Sequence, residues 1–250
     1  MKEYPTWSSE TGDMRWADRW TDESLAAQAR REAYDRDLLA RVDRIPRAAL
    51  SNEDVLSYDL FRYDLAVGVE EQPFRLNLMP VTQRSGIQQL DDTADALPFE
   101  RPKDFENWNA RLRAFPVLMD QIIALLEEGI RTGMTHPKIV MQRVTAQLDK
   151  QIVDDPARSP FFAPYVKKPR EPYATLAKAL VTSSVVPAFK KLRAFWTEKY
   201  LPACKDEVGA WNLPQGKAMY EHLVRAHTTT KLGPDEVHAI GLREVARIRA

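Results

Sequence analysis

The residues best suited to metal chemistry in this sequence are its four histidines, His136, His222, His227 and His238. A helix that binds zinc through two histidines needs them four residues apart, so that both face one ion. His222 and His227 are five apart, which separates them by roughly 140° around a helix, and no H-E-x-x-H sequence occurs. We therefore predict neither a catalytic nor a metal-binding residue in this chain, and we interpret His136 as a cap or loop residue before Pro137.

Nucleophilic chemistry is also poorly supported by the residue pattern. The single cysteine, Cys204, follows Leu201-Pro202-Ala203, and the spacing assigns it no histidine partner. A small buried residue near a helix end is the favoured interpretation. G-x-S-x-G, G-x-G-x-x-G and phosphate-binding loop patterns are absent.

Three consecutive hydroxyl side chains, Thr228, Thr229 and Thr230, allow two interpretations. In the first, they end a helix and their hydroxyls cap free backbone groups, which is common for threonine. In the second, they line a polar cleft together with Tyr220. The sequence favours capping and leaves the cleft open.

The composition excludes several classes of protein. Of the 250 residues, 44% are hydrophobic and 29% are charged, with 36 Lys+Arg against 36 Asp+Glu. A balanced charge does not suit a nucleic-acid-binding protein, and no apolar run reaches the roughly 20 residues that span a bilayer. The N-terminus has no apolar signal core. A cytoplasmic location is the default expectation, and a periplasmic or exported protein whose signal has been removed stays open.

The hydrophobic period is helical over most of the chain and predicts a mostly α fold of about seven or eight helices. A charged amphipathic helix is predicted over 22–44. A second helix is predicted to begin at Ser51, which serves as its N-cap. Because it is apolar around much of its circumference, we expect it to be buried. Residues 71–101 are predicted to be irregular with little or no strand, forming either a cleft wall or lid, or a plain surface excursion.

The second half of the chain continues the helical pattern with proline interruptions. Long helices are predicted over 102–132 and 173–200, with kinks at Pro116 and Pro187. Residues 156–172 combine five prolines with three aromatic residues. This composition predicts a rigid connector, which is also a candidate sub-boundary within a single helical region spanning 1–250.

The last predicted helix begins at Pro234, which suits a first helical turn, and continues to Ala250 without a stop signal. This pattern predicts that the chain is the N-terminal portion of a larger protein. If so, we expect a large exposed apolar surface where the missing C-terminal half docks, first of all over 237–250. A self-sufficient protein is not expected to expose such a surface.

Several motifs carry a resemblance to a known family. They are Leu213-Pro214-x-Gly216-Lys217-Ala218-x-Tyr220, Leu223-Val224-x-x-His227-Thr228-Thr229-Thr230 and Pro234-x-Glu236-x-His238-x-x-Gly241-Leu242-x-Glu244-Val245-x-Arg247-Ile248. Together with Tyr4-Pro5-x-x-Ser8, Gly133-Met134-x-x-Pro137 and Ser159-Pro160-Phe161, this pattern resembles the domain-of-unknown-function 885 (DUF885) family of bacterial proteins along nearly the whole chain.

The resemblance implies a helical, zinc-peptidase-like protein of at least about twice this size, with an H-E-x-x-P-G-H-H signature beyond Ala250. Zinc and a peptide substrate are therefore implied for the whole protein, and no catalytic or metal-binding residue is carried over to this chain. The chain would form one side of a substrate cleft and would be inactive alone. The cleft-facing positions would be Tyr220, His227, Thr228, Thr229 and Thr230. The alternative is a stand-alone helical binding or scaffold protein without catalytic activity.

Overall fold

The computed structural model describes residues 1–250 and is built almost entirely from helices. The α-helices are α1 (Pro5–Glu10), α2 (Leu25–Val42), α3 (Asn52–Glu71), α4 (Pro102–Thr132), α5 (Lys138–Gln151), α6 (Ala163–Lys167), α7 (Tyr173–Leu180), α8 (Val186–Phe195), α9 (Leu201–Ala203), α10 (Gly216–Thr228) and α11 (Pro234–Arg249). Short 3-10 helices connect several of them, and the only β pairing is an isolated bridge between Pro137 and Lys205. The predicted multi-helix fold with little or no strand is confirmed. None of the helices is both long enough and apolar enough to cross a membrane.

The chain divides into two compact units, each formed by segments that are distant in sequence. The first unit comprises Met1–Ala27 and Asn77–Glu207, and the second comprises Gln28–Leu76 and Val208–Ala250. Residues 156–172 lie inside the first unit, where they form short 3-10 helices and α6. Their aromatic residues Phe161, Phe162 and Tyr165 are buried, so this segment contributes side chains to the core of that unit.

The first unit is organised around α4, which packs against α7 and α8. The side chains of Trp108, Leu112 and Phe115 on α4 are completely buried. The Trp108 indole Nε1 donates a 3.0 Å hydrogen bond to the backbone oxygen of Phe161. Phe115 contacts the Phe161 ring edge-on, with the ring centroids 5.0 Å apart. Aromatic pairs in this geometry stabilise a core beyond the area they bury.

Backbone segments of the first unit approach α4 closely at Gly129. A Cβ atom added there would lie 2.8 Å from the backbone oxygen of Leu78 and 2.7 Å from that of Met134. Because neither oxygen belongs to a flexible side chain, we expect Gly129→Ala to destabilise the protein by about 2 kcal/mol, as measured by urea unfolding. Gly68→Ala on α3 is the matched control, because nothing lies within 4 Å of the added carbon. That variant should be neutral or stabilising by up to about 1 kcal/mol, and an equal loss in both variants would contradict this account.

Between residues 173 and 203 the helical chain contains two π-helical turns, each just before a proline. Val181–Val185 and Trp196–Tyr200 are π-helical, and they end directly before α8 and α9. Pro187 and Pro202 follow as the second residues of those helices. A proline has no N–H to donate and its ring clashes with the carbonyl four residues earlier. Each π turn contains that residue, so the wider turn accommodates the proline.

Residues 77–101 pack into the first unit, although they contain no strand. Leu78 and Val81 are fully buried. The Gln151 side-chain amide on α5 donates to the backbone oxygen of Gln88 at 2.8 Å and to Asp91 Oδ1 at 2.9 Å. The 3-10 helix Ile87–Ala96 takes the place of a regular element in this segment. Because its side chains are buried in the first unit, this segment is not a plain surface excursion.

The second unit consists of α3, α10, α11 and nearly all of α2. Ser51 caps α3 as predicted, because its hydroxyl accepts a hydrogen bond from the Asp54 backbone N–H at 3.2 Å. The expectation that α3 is buried is wrong, since none of its residues is buried. Leu56 and Leu60 are 63% and 58% exposed. An apolar circumference identifies a surface that favours burial, whereas burial itself depends on neighbouring elements that the local sequence does not specify.

Candidate functional site

A cavity of about 440 Å³ lies within the second unit, between α3 and α10. Its α3 wall uses residues spaced three and four apart, which lie on one face of a helix. These residues are Asp59, Arg62, Tyr63, Ala66, Val67 and Glu70. The opposite wall comes from one face of α10 and the turn that follows it. It comprises His222, Arg225, Ala226, Thr229, Thr230 and Lys231. We call this cavity the α3–α10 pocket.

Two of the charged groups in the α3–α10 pocket are neutralised by residues outside it. Asp59 makes an ion pair with Arg47 at 2.6 Å, and Arg62 makes one with Asp43 at 2.7 Å. The hydrogen bonds from the Arg47 guanidinium lower the pKa of the Asp59 carboxyl. Asp59 therefore stays charged, and Arg47 neutralises much of that charge from outside the pocket.

Arg225 and Lys231 have no such compensation. Neither side chain takes part in an ion pair or a hydrogen bond. The Glu70 carboxylate faces only His222, with its Oε2 atom 3.7 Å from the histidine Nδ1. Two free cations and one carboxylate are thus the charges available to a ligand.

His222 is buried at the inner side of the pocket, with 2% of its surface exposed. Its Nε2 atom has no hydrogen-bond partner and lies 3.8 Å from Glu71 Oε2. The Phe74 ring covers it at a centroid distance of 5.4 Å. The histidine spacing in the sequence pointed to His222 only as a possible partner of His227. Glu70 and Arg225 were not predicted, although the 222, 225, 226, 229 spacing marks one face of α10.

The predicted cleft residues are only partly brought together. Thr229 and Thr230 line the α3–α10 pocket, whereas Tyr220, His227 and Thr228 do not. Tyr220 is 48% exposed, and His227 is also exposed. The pocket therefore includes two of the five positions.

The threonine hydroxyls also act locally, in the capping arrangement that the sequence favours. Thr228 donates to the Val224 backbone oxygen at 2.8 Å, and Thr229 donates to the Thr228 backbone oxygen at 2.7 Å. Thr230 Oγ1 accepts from the Leu232 N–H at 3.3 Å. These bonds close the end of α10 and fix the turn that carries Lys231 to the pocket.

The zinc implied by the family resemblance has no set of donors in this chain. No three or more His, Cys, Asp or Glu side chains are grouped so that they could hold a metal ion. Glu70 and Glu71 approach opposite nitrogens of His222, so the three groups do not converge on one point. Cys204 is buried, as predicted, and burial raises the pKa of its thiol to about 12. A thiol with this pKa is a poor nucleophile at neutral pH.

His136 lies in the loop before α5, as predicted. Burial lowers the pKa of its imidazole from the usual 6.5, and its Nε2 atom has no hydrogen-bond partner. The unfolded chain therefore takes up a proton near pH 6.5, whereas the folded chain resists it until a lower pH. Stability should fall as the pH drops below about 6.5.

The His136 prediction can be checked by urea unfolding at several values between pH 7.5 and pH 5. The free energy of unfolding of His136→Gln should depend less steeply on pH than that of the parent chain. An unchanged slope would mean that His136 does not contribute to this acid sensitivity.

Comparisons with known proteins identify a family from the sequence and a similar fold among solved structures. Residues 5–250 match the model of a family described as "Bacterial protein of unknown function (DUF885)". The fold is similar to the crystal structure of the putative lipoprotein from Colwellia psychrerythraea, with a TM-score of 0.81 and 17% sequence identity. The alignment covers 99% of this chain and 46% of that one, so this chain spans less than half the length of that protein. No curated protein matches the chain. Because the family model covers almost every residue, the chain belongs to the DUF885 family of bacterial proteins.

Proposed function

We propose that this chain is the helical, non-catalytic part of a DUF885 protein. Its second unit would bind further polypeptide of the same protein, and the two together would form a substrate cleft. The first unit would serve as a self-contained scaffold. The zinc-peptidase-like chemistry that the family resemblance implies would come from residues outside these 250.

The observation that carries this proposal is the unequal burial of apolar side chains. Of all the buried hydrophobic residues, only Val42 and Met219 belong to the second unit. Each buried aliphatic side chain contributes about 1.5–3 kcal/mol, so two of them supply little stability to four helices. The second unit is therefore a set of helices with almost no apolar core of its own.

Large apolar side chains of the second unit are exposed on its surface instead of packing into a core. On α3, Leu56, Leu60 and Phe61 are 63%, 58% and 50% exposed. On α11, Leu242 and Ile248 are 60% and 73% exposed, and no α11 residue is buried. We call the exposed apolar residues of α3 and α11 the docking faces. Contiguous exposed apolar surface marks sites that bind another protein, a membrane or a ligand, and a protein surface is the occupant proposed for these faces.

The length of the structurally similar Colwellia protein supports further polypeptide of the same protein as the molecule that covers the docking faces. The aligned region accounts for 46% of the Colwellia protein, so a similar fold is there accompanied by more than its own length of additional chain. A separate partner protein, as in a stand-alone scaffold, is the competing occupant. The experiment must therefore distinguish the two.

The test is substitution on the docking faces, in this chain and in the longest gene product that contains it. Phe61→Asp and Ile248→Asp should change the stability of the 250-residue chain by no more than about 0.5 kcal/mol. In the longer product each should cost about 2 kcal/mol or more, because it buries an unpaired charge.

Val166→Asp is the matched control for these variants, because Val166 is 65% exposed but belongs to the first unit. The 250-residue chain should also bind no stoichiometric zinc and hydrolyse no peptide. A gene product without further polypeptide, or docking-face variants as mild as Val166→Asp in the longer product, would overturn the proposal and favour a separate partner.

A further inference from the structure

The α3–α10 pocket carries charges of both signs that its surroundings do not neutralise. Arg225 and Lys231 are free, and His222 is the one ion-pair partner of the Glu70 carboxylate. Asp59 and Arg62 are already paired outside the pocket. The chemistry offered to a ligand is therefore one carboxylate and two cations.

These charges are separated along α10. Glu70 lies opposite His222. Arg225 comes one turn later, about 4.5 Å further along the helix axis, and the helix end at Thr228 is about 9 Å from His222. Lys231 lies beyond that end. The free negative charge and the free positive charges are thus at different positions along the pocket.

A ligand of a single charge does not fit this arrangement. A simple anion would meet the Glu70 carboxylate. The last carbonyls of α10 also oppose negative charge at the helix end, where Arg225 and Lys231 supply two positive charges against them. The hydroxyl of Tyr63 donates to two of these carbonyls, the backbone oxygens of Arg225 and Ala226, at 3.5 and 3.4 Å. A simple cation would meet Arg225 and Lys231. Only a molecule with both charges is attracted at both positions.

We propose that the α3–α10 pocket binds a short zwitterionic peptide, with its ammonium group at Glu70 and its carboxylate at Arg225 and Lys231. An extended chain covers about 3.3–3.6 Å per residue, so about three residues are needed to reach from Glu70 past Arg225 to Lys231, which follows the helix end about 9 Å from His222. The 440 Å³ volume lies in the range of small-molecule sites, about 300–1,000 Å³. All residues that line the pocket come from this chain, so binding requires no further polypeptide. Only the assignment of the bound peptide as part of a substrate cleft rests on the proposed function.

The test measures binding of Ala-Ala-Ala to the 250-residue chain by calorimetry at low ionic strength, where exposed charges are least screened. N-acetylated Ala-Ala-Ala and the C-terminal amide each lack one charge. Each should bind about tenfold more weakly than the free tripeptide, because one charge-assisted contact is lost. Free alanine should also bind more weakly, since it cannot reach both positions.

Variants assign the two ends of the ligand. Arg225→Gln should abolish the preference for the free carboxylate over the amide, and Glu70→Gln should abolish the preference for the free ammonium over the acetylated form. Arg243→Gln on α11 and Glu53→Gln on α3 are matched controls outside the pocket and should change neither preference. Equal binding of all three peptides, equally tight binding of inorganic phosphate, or equal effects of the control variants would overturn the proposal. None of these outcomes depends on further polypeptide, so this proposal and the docking proposal can fail separately.

Discussion

Replacing Arg111 by alanine is expected to reduce the free energy of unfolding by about 4 kcal/mol, a larger loss than that expected for Gly129→Ala. Arg111 lies in the middle of α4 and is fully buried without an ion pair. Burial lowers the pKa of its guanidinium to about 10, so the side chain is still charged at neutral pH.

The guanidinium of Arg111 holds the N-terminal segment against α4. It donates to the backbone oxygens of Arg19 and Pro5 at 3.1 and 3.3 Å, and to the Ser9 hydroxyl at 2.7 Å. It also lies over the Trp20 ring, 4.9 Å from its centroid. In the alanine variant the Pro5 oxygen and the Ser9 hydroxyl would lose a buried donor, at about 1–3 kcal/mol each when no water replaces the bond, and a cavity would add to the loss.

Urea unfolding of Arg111→Ala measures this loss, and limited proteolysis shows where it acts. The first 20 residues should be cleaved before α4 in the variant and together with the rest of the unit in the parent. Arg113→Ala, two residues later on the same helix and exposed, should change stability by less than about 0.5 kcal/mol. A similar small effect for Arg111→Ala would show that the N-terminal segment is held by apolar packing alone.

The second large effect is expected in the amide exchange of the two units. Exchange rates report local opening, whose free energy ranges from about zero to the global stability. Helix α4 is covered by a dense apolar core, whereas α3 and α11 have no buried residue. In this chain alone, amides in the middle of α3 and α11 should exchange about a thousandfold or more faster than those of α4, which corresponds to about 4 kcal/mol.

Exchange monitored by mass spectrometry checks this difference. The matched comparison is between α3 and α4, the two longest helices, with 20 and 31 residues. Similar protection of both helices would mean that the second unit is stabilised by contacts other than apolar burial. The proposal that its docking faces bind further polypeptide would then lose its main support.

Hydrophobic periodicity predicted most helices of this fold, because the pattern depends only on residues that are close in the sequence. The cap at Ser51 and the start at Pro234 are local chemistry, and the structure contains them. At Pro116, where a kink is predicted, α4 continues as one helix. The burial of α3 was mispredicted because the same apolar face suits a core or an external partner. At Pro187 the sequence indicated a disturbance, and the structure accommodates it with a wider helical turn.

The α3–α10 pocket shows why sites are harder to predict than elements. Glu70 and His222 are separated by more than half of the chain and meet only because α3 and α10 pack together. No local pattern indicates that pair. The threonine run is visible in the sequence, and Thr229 and Thr230 line the pocket, but Arg225 and Lys231 beside them have no sequence feature that separates them from ordinary surface charges.

The most direct test of the docking proposal is the amide exchange of α3 and α11 in the longest gene product that contains these 250 residues. If further polypeptide covers the docking faces, both helices should become at least about a hundredfold more protected than in the isolated chain, which corresponds to about 2.7 kcal/mol. Protection of α4 should change little. Unchanged exchange of α3 and α11 in the longer product would contradict the proposal.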